Sequence, residues 1–166
     1  GEDVYYDPEI LLTGEWRWPT DAKPVVTDPY GWRHIGGGWD FHSAWDIRTS
    51  SWFSPTRAMT YGVVRGVRSM GLYDPDPNYI KIFHGFFTAT YVHVTSPLQR
   101  GDFVFPGMQI GITDQSGRTS GPHVHLAISL GRYSDSRVNP YWELHQLFNP
   151  VYKDGMHGYT TIQAQY

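Results

Sequence analysis

The sequence predicts a mainly β fold built on an antiparallel sheet, and three observations support this prediction. From Val25 onward, short runs rich in β-branched and aromatic residues alternate with clusters of Gly, Pro, Asp and Ser, which is typical of strands joined by tight turns. Aromatic residues, which favour strands, are plentiful, with 7 Trp, 12 Tyr and 8 Phe. Helix signals are scarce, so we expect one short helix near the C-terminus.

The predicted elements follow one another along a single domain. At 166 residues the chain can bury a core of ordinary size. We expect an extended, proline-containing arm over 1–24, the domain over 25–148, and a tail over 149–166 that packs on the domain or pairs as an edge strand. Strands are expected at 60–70, 78–94 (a hairpin), 108–114 and 120–129. Residues 138–148 predict the helix, with Asn139 as a cap and Pro140 at the first helical position.

The hairpin over 78–94 gives an expectation for one histidine. Its turn is predicted near Gly85, and period-two alternation in its second arm puts His93 on the same face as Ala89 and Tyr91. His93 therefore has a definable position on the sheet.

Composition excludes several classes of function. With 13 Lys and Arg against 16 Asp and Glu, the net charge is −3 and no basic run suits a nucleic acid. The absence of cysteine excludes disulfides and thiolate metal sites. No apolar stretch reaches the roughly 18 residues of a membrane span, and the N-terminus lacks a secretion signal pattern. We therefore expect a mature form or a domain cut from a longer protein.

Two histidines, His123 and His125, stand one residue apart in the apolar run 120–129. Side chains two residues apart on a strand point to the same face and lie about 7 Å apart, so the two imidazoles are expected to share a surface. Such a pair either makes ordinary hydrogen bonds on a sheet face or binds a metal, and the motif by itself leaves both interpretations open.

A second motif, HSAWD, contains His42 and Asp46. Four residues of straight strand span about 13 Å, too far for both side chains to reach one ion, and the glycines at 36–38 argue against a helix. The two residues can share an ion only if the chain bends at Ser43 and Ala44, whose small side chains permit a bend. Otherwise Asp46 orients His42 for structural reasons.

Together, His42, Asp46 and one histidine of the 123/125 pair predict a site of two imidazoles and one carboxylate. This set suits Zn²⁺, because catalytic zinc keeps three protein ligands and one open position. Zinc lowers the pKa of a bound water molecule toward neutrality and polarises a carbonyl group. The remaining histidine of the pair, and His93, are then candidates for moving a proton or stabilising negative charge.

The order of these motifs resembles the lysostaphin-type, LytM-like zinc endopeptidases, which cut peptides of bacterial cell walls. The resemblance rests on HSAWD, TATYVHV and GITDQSGRTSGPHVHLAIS, with YGWR, GVVRGV and GDFVFPGMQIG between or before them. It spans about residues 25–143. It implies an antiparallel sheet with a narrow, loop-walled groove, in which the substrate peptide lies above the metal.

The resemblance also implies roles for individual residues. His42, Asp46 and His125 would hold Zn²⁺, and His93 and His123 would be the catalytic pair. Two positions depart from the family pattern, since Ala44 and Trp45 stand where Gly and a small aliphatic residue are usual. Trp45 is expected to fill the core, and the aromatic-rich loop 30–41 and the region 131–137 are expected to form groove walls.

Four histidines fall outside these motifs. His84 is expected to pack or to make a hydrogen bond, whereas His34, His145 and His157 are expected at the surface. His34 has a second possibility, because its loop could reach the metal in a resting form.

The resemblance implies a zinc endopeptidase that hydrolyses stem or cross-bridge peptides of peptidoglycan. Such a protein would act outside the cytoplasm, in the periplasm, the cell wall or the medium, or on a virion, and is expected to be a monomer. The alternatives are a non-hydrolytic wall-binding or activator domain and the lytic domain of a phage tail or delivery machine. A decayed site should lack at least one of the five residues, and none is missing.

Overall fold

The computed structural model describes residues 15–35, 37–117, 119, 121–131 and 136–153. Within these residues the chain forms fourteen strands and one helix. The strands are β1 Val25–Asp28, β2 Gly31–Ile35, β3 Gly38–His42, β4 Trp45–Arg48, β5 Pro55–Arg57, β6 Gly62–Arg68, β7 Tyr79–Phe83, β8 Phe87–Val92, β9 Val94–Thr95, β10 Phe103–Val104, β11 Gln109–Thr113, β12 His123–Leu130, β13 Arg137–Val138 and β14 Val151–Tyr152; the helix, α1, is Tyr141–Phe148.

Nine of the strands form one large sheet in the order β10-β6-β7-β8-β12-β4-β1-β14, with β13 paired to the far end of β12. A three-stranded sheet, β5-β11-β9, packs with it, and β2 and β3 form a separate ribbon. The paired strands are antiparallel except for β1 and β14. The predicted mainly β, antiparallel fold class is confirmed, including the hairpin of β7 and β8, which turns through Gly85 at φ 104°.

The core joins the large sheet to the three-stranded sheet. Trp45, Tyr91 and Leu126 from the large sheet and Val94 and Ile110 from the smaller one are completely buried in one cluster. Trp45 therefore fills the core, as predicted. Burying these large apolar side chains stabilises the fold, at about 25 cal/mol per Å² removed from water.

Strand register separates the core face of the large sheet from its opposite face. Leu126 pairs directly with Trp45 on one side and Tyr91 on the other, and all three are in the core. The next residue toward the N-terminus, His125, pairs with Asp46 on β4 and with Val92 on β8. Because partners share a face and successive residues alternate, His125 and Asp46 project from the face opposite the core.

Both chain ends of the described region lie against the domain. Trp16 stacks on Phe87 with ring centroids 6.1 Å apart, and the Arg17 N–H donates to the Met59 carbonyl at 2.8 Å. At the other end Val151 pairs beside Val25 in the edge strand β14. Residues 1–14 of the predicted arm (1–24) and residues 154–166 of the predicted tail (149–166) lie outside the described residues.

The helix and the segment 30–41 differ from prediction. The helix begins at Tyr141, later than the predicted 138, because β13 extends through Val138; the Tyr141 N–H donates to Asn139 Oδ1 at 3.0 Å. Residues 30–41, predicted as a loop, contain the ribbon β2–β3. An edge-to-face contact between the rings of Trp32 and Phe41 stabilises this ribbon.

Candidate active site

Two strands and one turn bring together the residues of the HSAWD and HVH motifs. Asp46 and His125 are direct cross-strand partners on β4 and β12. His42 ends β3, and the chain turns through Ser43 and Ala44 before β4 begins at Trp45. The bend required by the sequence is therefore present, and it packs against the core, since Ala44 is completely buried.

Three ligand-type atoms form a nearly equilateral triangle on this face. His42 Nε2 lies 3.3 Å from Asp46 Oδ1 and 3.3 Å from His125 Nδ1, and the third side, His125 Nδ1 to Asp46 Oδ1, is 3.0 Å. Ligands held about 2 Å from a tetrahedral zinc ion are about 3.3 Å apart. Among the described residues, these three form a group that could hold a metal ion, and the separations fit Zn²⁺.

The hydrogen bond made by the His42 ring also suits a metal site. The ring Nδ1 lies 3.0 Å from the Pro29 carbonyl oxygen, which can only accept, so Nδ1 carries a proton. When the ring is neutral, Nε2 therefore presents a lone pair to the triangle. Metal-binding imidazoles commonly have their second nitrogen fixed in this way. The carbonyl of Pro29 was not predicted, because a backbone acceptor has no residue-type signal.

The electrostatics of the triangle favour a cation at its centre. Although burial opposes ionisation, hydrogen bonds from His125 and His42 hold the pKa of Asp46 well below its usual range. Burial likewise opposes a charge on His42, yet the hydrogen bond and the negative charge of Asp46 raise its pKa. Asp46 therefore carries a formal negative charge whose nearest partners are two imidazoles.

His123 lies on the same strand face as His125, as predicted from the spacing. Its Nδ1 donates to the Gly121 carbonyl at 2.9 Å, and its Nε2 lies 3.8 Å from Asp46 Oδ1. This distance is longer than the sides of the triangle. His123 therefore borders the triangle formed by the other three residues.

His93 reaches this face by a route that alternation does not predict. The alternation along the hairpin predicts that His93 shares a face with Ala89 and Tyr91, and in the structure that face packs in the core. That prediction is wrong: β8 ends at Val92, and His93 adopts the left-handed conformation, with φ 66°. Val94 enters the core instead, and the His93 ring lies 4.9 Å from that of His123 and 6.3 Å from that of His125.

The environment of His93 suits a neutral imidazole. Its Nδ1 donates to the Ser116 carbonyl at 2.8 Å, so Nε2 is the nitrogen left to accept a proton. Burial, followed by the positive charge that His123 can carry, lowers the pKa of His93. A left-handed conformation in a residue other than glycine is uncommon and is found preferentially at functional sites.

The burial of the remaining histidines agrees only in part with the prediction. His84 is completely buried, and its Nε2 lies 2.8 Å from the Tyr91 hydroxyl, so it packs and bonds as expected. His34 is exposed on the ribbon beside Trp39 and is not part of the group above. His145, predicted at the surface, is half-buried instead, since it stacks on Tyr141 and bonds the Tyr152 hydroxyl at 2.7 Å. His157 lies outside the described residues.

Solved structures similar to this chain include peptidases. The catalytic domain of the prophage-encoded M23 protein EnpA from Enterococcus faecalis has a TM-score of 0.59 and 26% identity over 76% of this chain and 94% of its own. A zinc-containing peptidase from Vibrio cholerae has a TM-score of 0.58 and 23% identity over 76% of this chain, which spans only 39% of that protein. The catalytic domain of the antimicrobial peptidase lysostaphin from Staphylococcus simulans has a TM-score of 0.52 and 20% identity, over 81% and 95% of the two chains.

Sequence comparison gives the family. No curated protein matches the chain significantly. The model of peptidase family M23, however, matches residues 40–140, which is more than half of the chain and includes the four candidate residues of the two motifs and His93. The protein therefore belongs to peptidase family M23.

Proposed function

We propose that this protein is a zinc-dependent endopeptidase that hydrolyses peptide bonds in the stem or cross-bridge peptides of bacterial peptidoglycan. The observation that carries the proposal is the triangle of His42 Nε2, Asp46 Oδ1 and His125 Nδ1, with sides of 3.0 to 3.3 Å, bordered by two further imidazoles. Membership of a peptidase family supports the hydrolytic activity, and the similarity to lysostaphin and EnpA supports a cell-wall substrate.

In this proposal the zinc ion is held by His42, Asp46 and His125. The negative charge of the Asp46 carboxylate offsets part of the positive charge of the ion. A zinc ion held there would lower the pKa of a bound water molecule and would polarise the scissile carbonyl group. The domain that carries this chemistry extends over 25–148, and residues 15–24 and 149–153 contact it.

The two other imidazoles handle protons and charge. His93, held neutral with its Nε2 unprotonated, accepts a proton from the attacking water. His123 donates its Nδ1 proton to Gly121 and presents Nε2 near Asp46, where an imidazolium would stabilise negative charge developing on the scissile carbonyl oxygen. His123 can then deliver its Nε2 proton to the leaving amine.

The proposed substrate puts the protein outside the cytoplasm, in the periplasm or cell wall or on a virion. None of the helices among the described residues is long and apolar enough to cross a membrane. The similarity to a prophage-encoded protein leaves a role in a phage delivery machine compatible with the same chemistry.

The direct test is to incubate the purified protein with peptidoglycan of several peptide chemotypes, with and without a metal chelator, and to identify new termini by mass spectrometry. We expect cleavage that the chelator abolishes and added zinc restores. If no chemotype is cut in a chelator-sensitive way, the protein is a binding or activator domain instead.

A variant pair separates zinc binding from catalysis. His123→Ala should retain zinc and lose hydrolysis, because His123 lies outside the triangle. The matched control is His34→Ala, which removes an exposed imidazole from the ribbon and should change neither property. Loss of zinc in His123→Ala would mean that the roles of His123 and His125 have been exchanged.

A further inference from the structure

A largely buried polar network surrounds the turn that carries His93. Its centre is the carboxylate of Asp114, which is inaccessible to solvent. Oδ1 accepts hydrogen bonds from the backbone N–H of Ser116 at 2.9 Å and from its hydroxyl at 2.5 Å. Oδ2 accepts from the Asn78 side-chain amide at 2.9 Å and from the Thr95 hydroxyl at 2.6 Å. One carboxylate thus joins the segment before β7, the strand β9 and the turn after β11.

The same residues bond nearly every polar group of His93. Its backbone N–H donates to the Asn78 carbonyl and its own carbonyl accepts from the Asp114 N–H, each at 2.9 Å. Its ring Nδ1 donates to the Ser116 carbonyl at 2.8 Å. Nε2 is the polar atom of His93 to which this network makes no bond, and it is the atom that the proposed reaction requires.

A reason for this arrangement lies in the backbone. The left-handed conformation of His93, with φ 66°, is costly for a residue with a side chain and persists only when surrounding contacts enforce it. Relaxation to an extended conformation would restore the alternation of β8 and turn the ring toward the core. The contacts that oppose this relaxation are the three bonds from Asn78, Asp114 and Ser116.

We propose that Asp114 is a positioning residue that holds His93 in its left-handed conformation and in the Nδ1–H tautomer. This assignment rests on the proposed catalytic role of His93. A carboxylate is required because four donors converge on its two oxygens; an amide offers one oxygen and adds donors that would oppose those already present. Displacement of a catalytic group by about 1 Å can lower a rate about 100-fold, so the network acts on the reaction without touching the substrate.

Asp114→Asn tests the proposal, and Thr113→Val is its matched control. Thr113 is the preceding residue and is equally buried, but its hydroxyl bonds Ser54 and Ser51 rather than the Asp114 network. Both variants should lower the melting temperature. Only Asp114→Asn should lower kcat, by about 100-fold, with KM and zinc affinity within about twofold of the wild type.

A spectroscopic measurement makes the test independent of hydrolysis. Long-range ¹H–¹⁵N correlation spectra of the imidazoles, with the His93 signals assigned from His93→Ala, report which ring nitrogen carries the proton. The wild type and Thr113→Val should show one Nδ1–H tautomer with slow proton exchange, and Asp114→Asn should show a mixture or fast exchange. If the wild type cuts no peptidoglycan, the proposed function fails, but this spectrum still decides whether Asp114 positions His93.

A milder variant covers the case in which Asp114→Asn does not fold. Thr95→Val removes a single donor from Oδ2 and should weaken the His93 Nδ1–H signal while lowering kcat by less than Asp114→Asn would. An unchanged His93 spectrum and an unchanged kcat in the variants that fold would overturn the proposal. Equal losses in Thr113→Val would overturn it as well, because they would indicate a general effect of weakened packing.

Discussion

His42 and His84 are both buried histidines, with 3% and 0% of their surfaces exposed, but the partners of one of their ring nitrogens differ. In each, Nδ1 donates to a backbone carbonyl, that of Pro29 or of Tyr61. The difference lies at Nε2. His42 Nε2 faces the carboxylate of Asp46, whereas His84 Nε2 accepts a hydrogen bond from the hydroxyl of Tyr91.

The two environments move the pKa in opposite directions. Burial lowers the pKa of His84 to about 4, because no carboxylate offsets the loss of hydration. Burial acts on His42 too, but the hydrogen bond and charge of Asp46 outweigh it and raise the pKa. The comparison shows that burial of a histidine does not distinguish a structural residue from a proposed metal ligand; the charge beside its second nitrogen does.

The largest effect expected from this comparison follows removal of that charge. Asp46→Asn keeps the size of the side chain but removes the proposed anionic ligand. It should weaken zinc binding by more than about 100-fold, since even the loss of a residue outside a metal's ligand set costs about 10- to 100-fold. Isothermal titration with zinc and a hydrolysis assay measure both losses. Zinc affinity within tenfold of the wild type would show that Asp46 is not a ligand.

The second prediction concerns His84 and stability in acid. Above pH 6.5 the imidazole is neutral in both the folded and the unfolded protein. As the pH falls from 6.5 to about 4, His84 becomes protonated in the unfolded chain but stays neutral in the folded protein, because its pKa there is lower. The wild type should therefore lose about 3 kcal/mol of unfolding free energy over this range through His84.

Urea unfolding of the wild type and His84→Gln at several pH values checks this effect. The variant keeps a donor and an acceptor but has no titrating ring, so its stability should be lower at pH 7.5 and should fall less steeply between pH 6.5 and 4. Parallel pH profiles of the two proteins would contradict the neutral, buried state of His84.

A third prediction isolates the hydrogen bond of the structural histidine. Tyr91→Phe removes the hydroxyl that donates to His84 Nε2 at 2.8 Å and accepts from the Met59 N–H at 3.3 Å. Leaving buried polar groups without a partner should lower the unfolding free energy by about 1–3 kcal/mol, with zinc affinity unchanged. Tyr73→Phe, on an exposed residue, is the control and should change stability by less than about 0.5 kcal/mol.

The smallest effect is expected at the other nitrogen of His42. The carboxylate of Asp28 lies 3.9 Å from His42 Nδ1, but the proton there is donated to Pro29 instead, and Asp28 pairs with Arg33. Asp28→Asn should therefore change zinc affinity by less than about tenfold, as measured by competition with a chelating dye. A loss comparable to that of Asp46→Asn would mean that Asp28 supports the metal directly.

Much of the candidate site could be predicted from the sequence because its motifs are local. A spacing of two residues on a strand puts His123 and His125 on one face, whatever the rest of the fold does. Likewise, His42 and Asp46 required a bend, and the small residues Ser43 and Ala44 allowed it. The mainly β class followed from the same kind of short-range pattern.

Tertiary structure decided what these periodic patterns could not. The left-handed conformation at His93 reversed its predicted face, and contacts with segments distant in sequence, at Asn78 and Ser116, hold it there. Likewise, only the packed protein determines that His84 meets a hydroxyl and His42 a carboxylate. Residue spacing fixes the direction of a side chain while a strand stays regular, but long-range hydrogen bonds and burial determine where that regularity ends and which charge each ring meets.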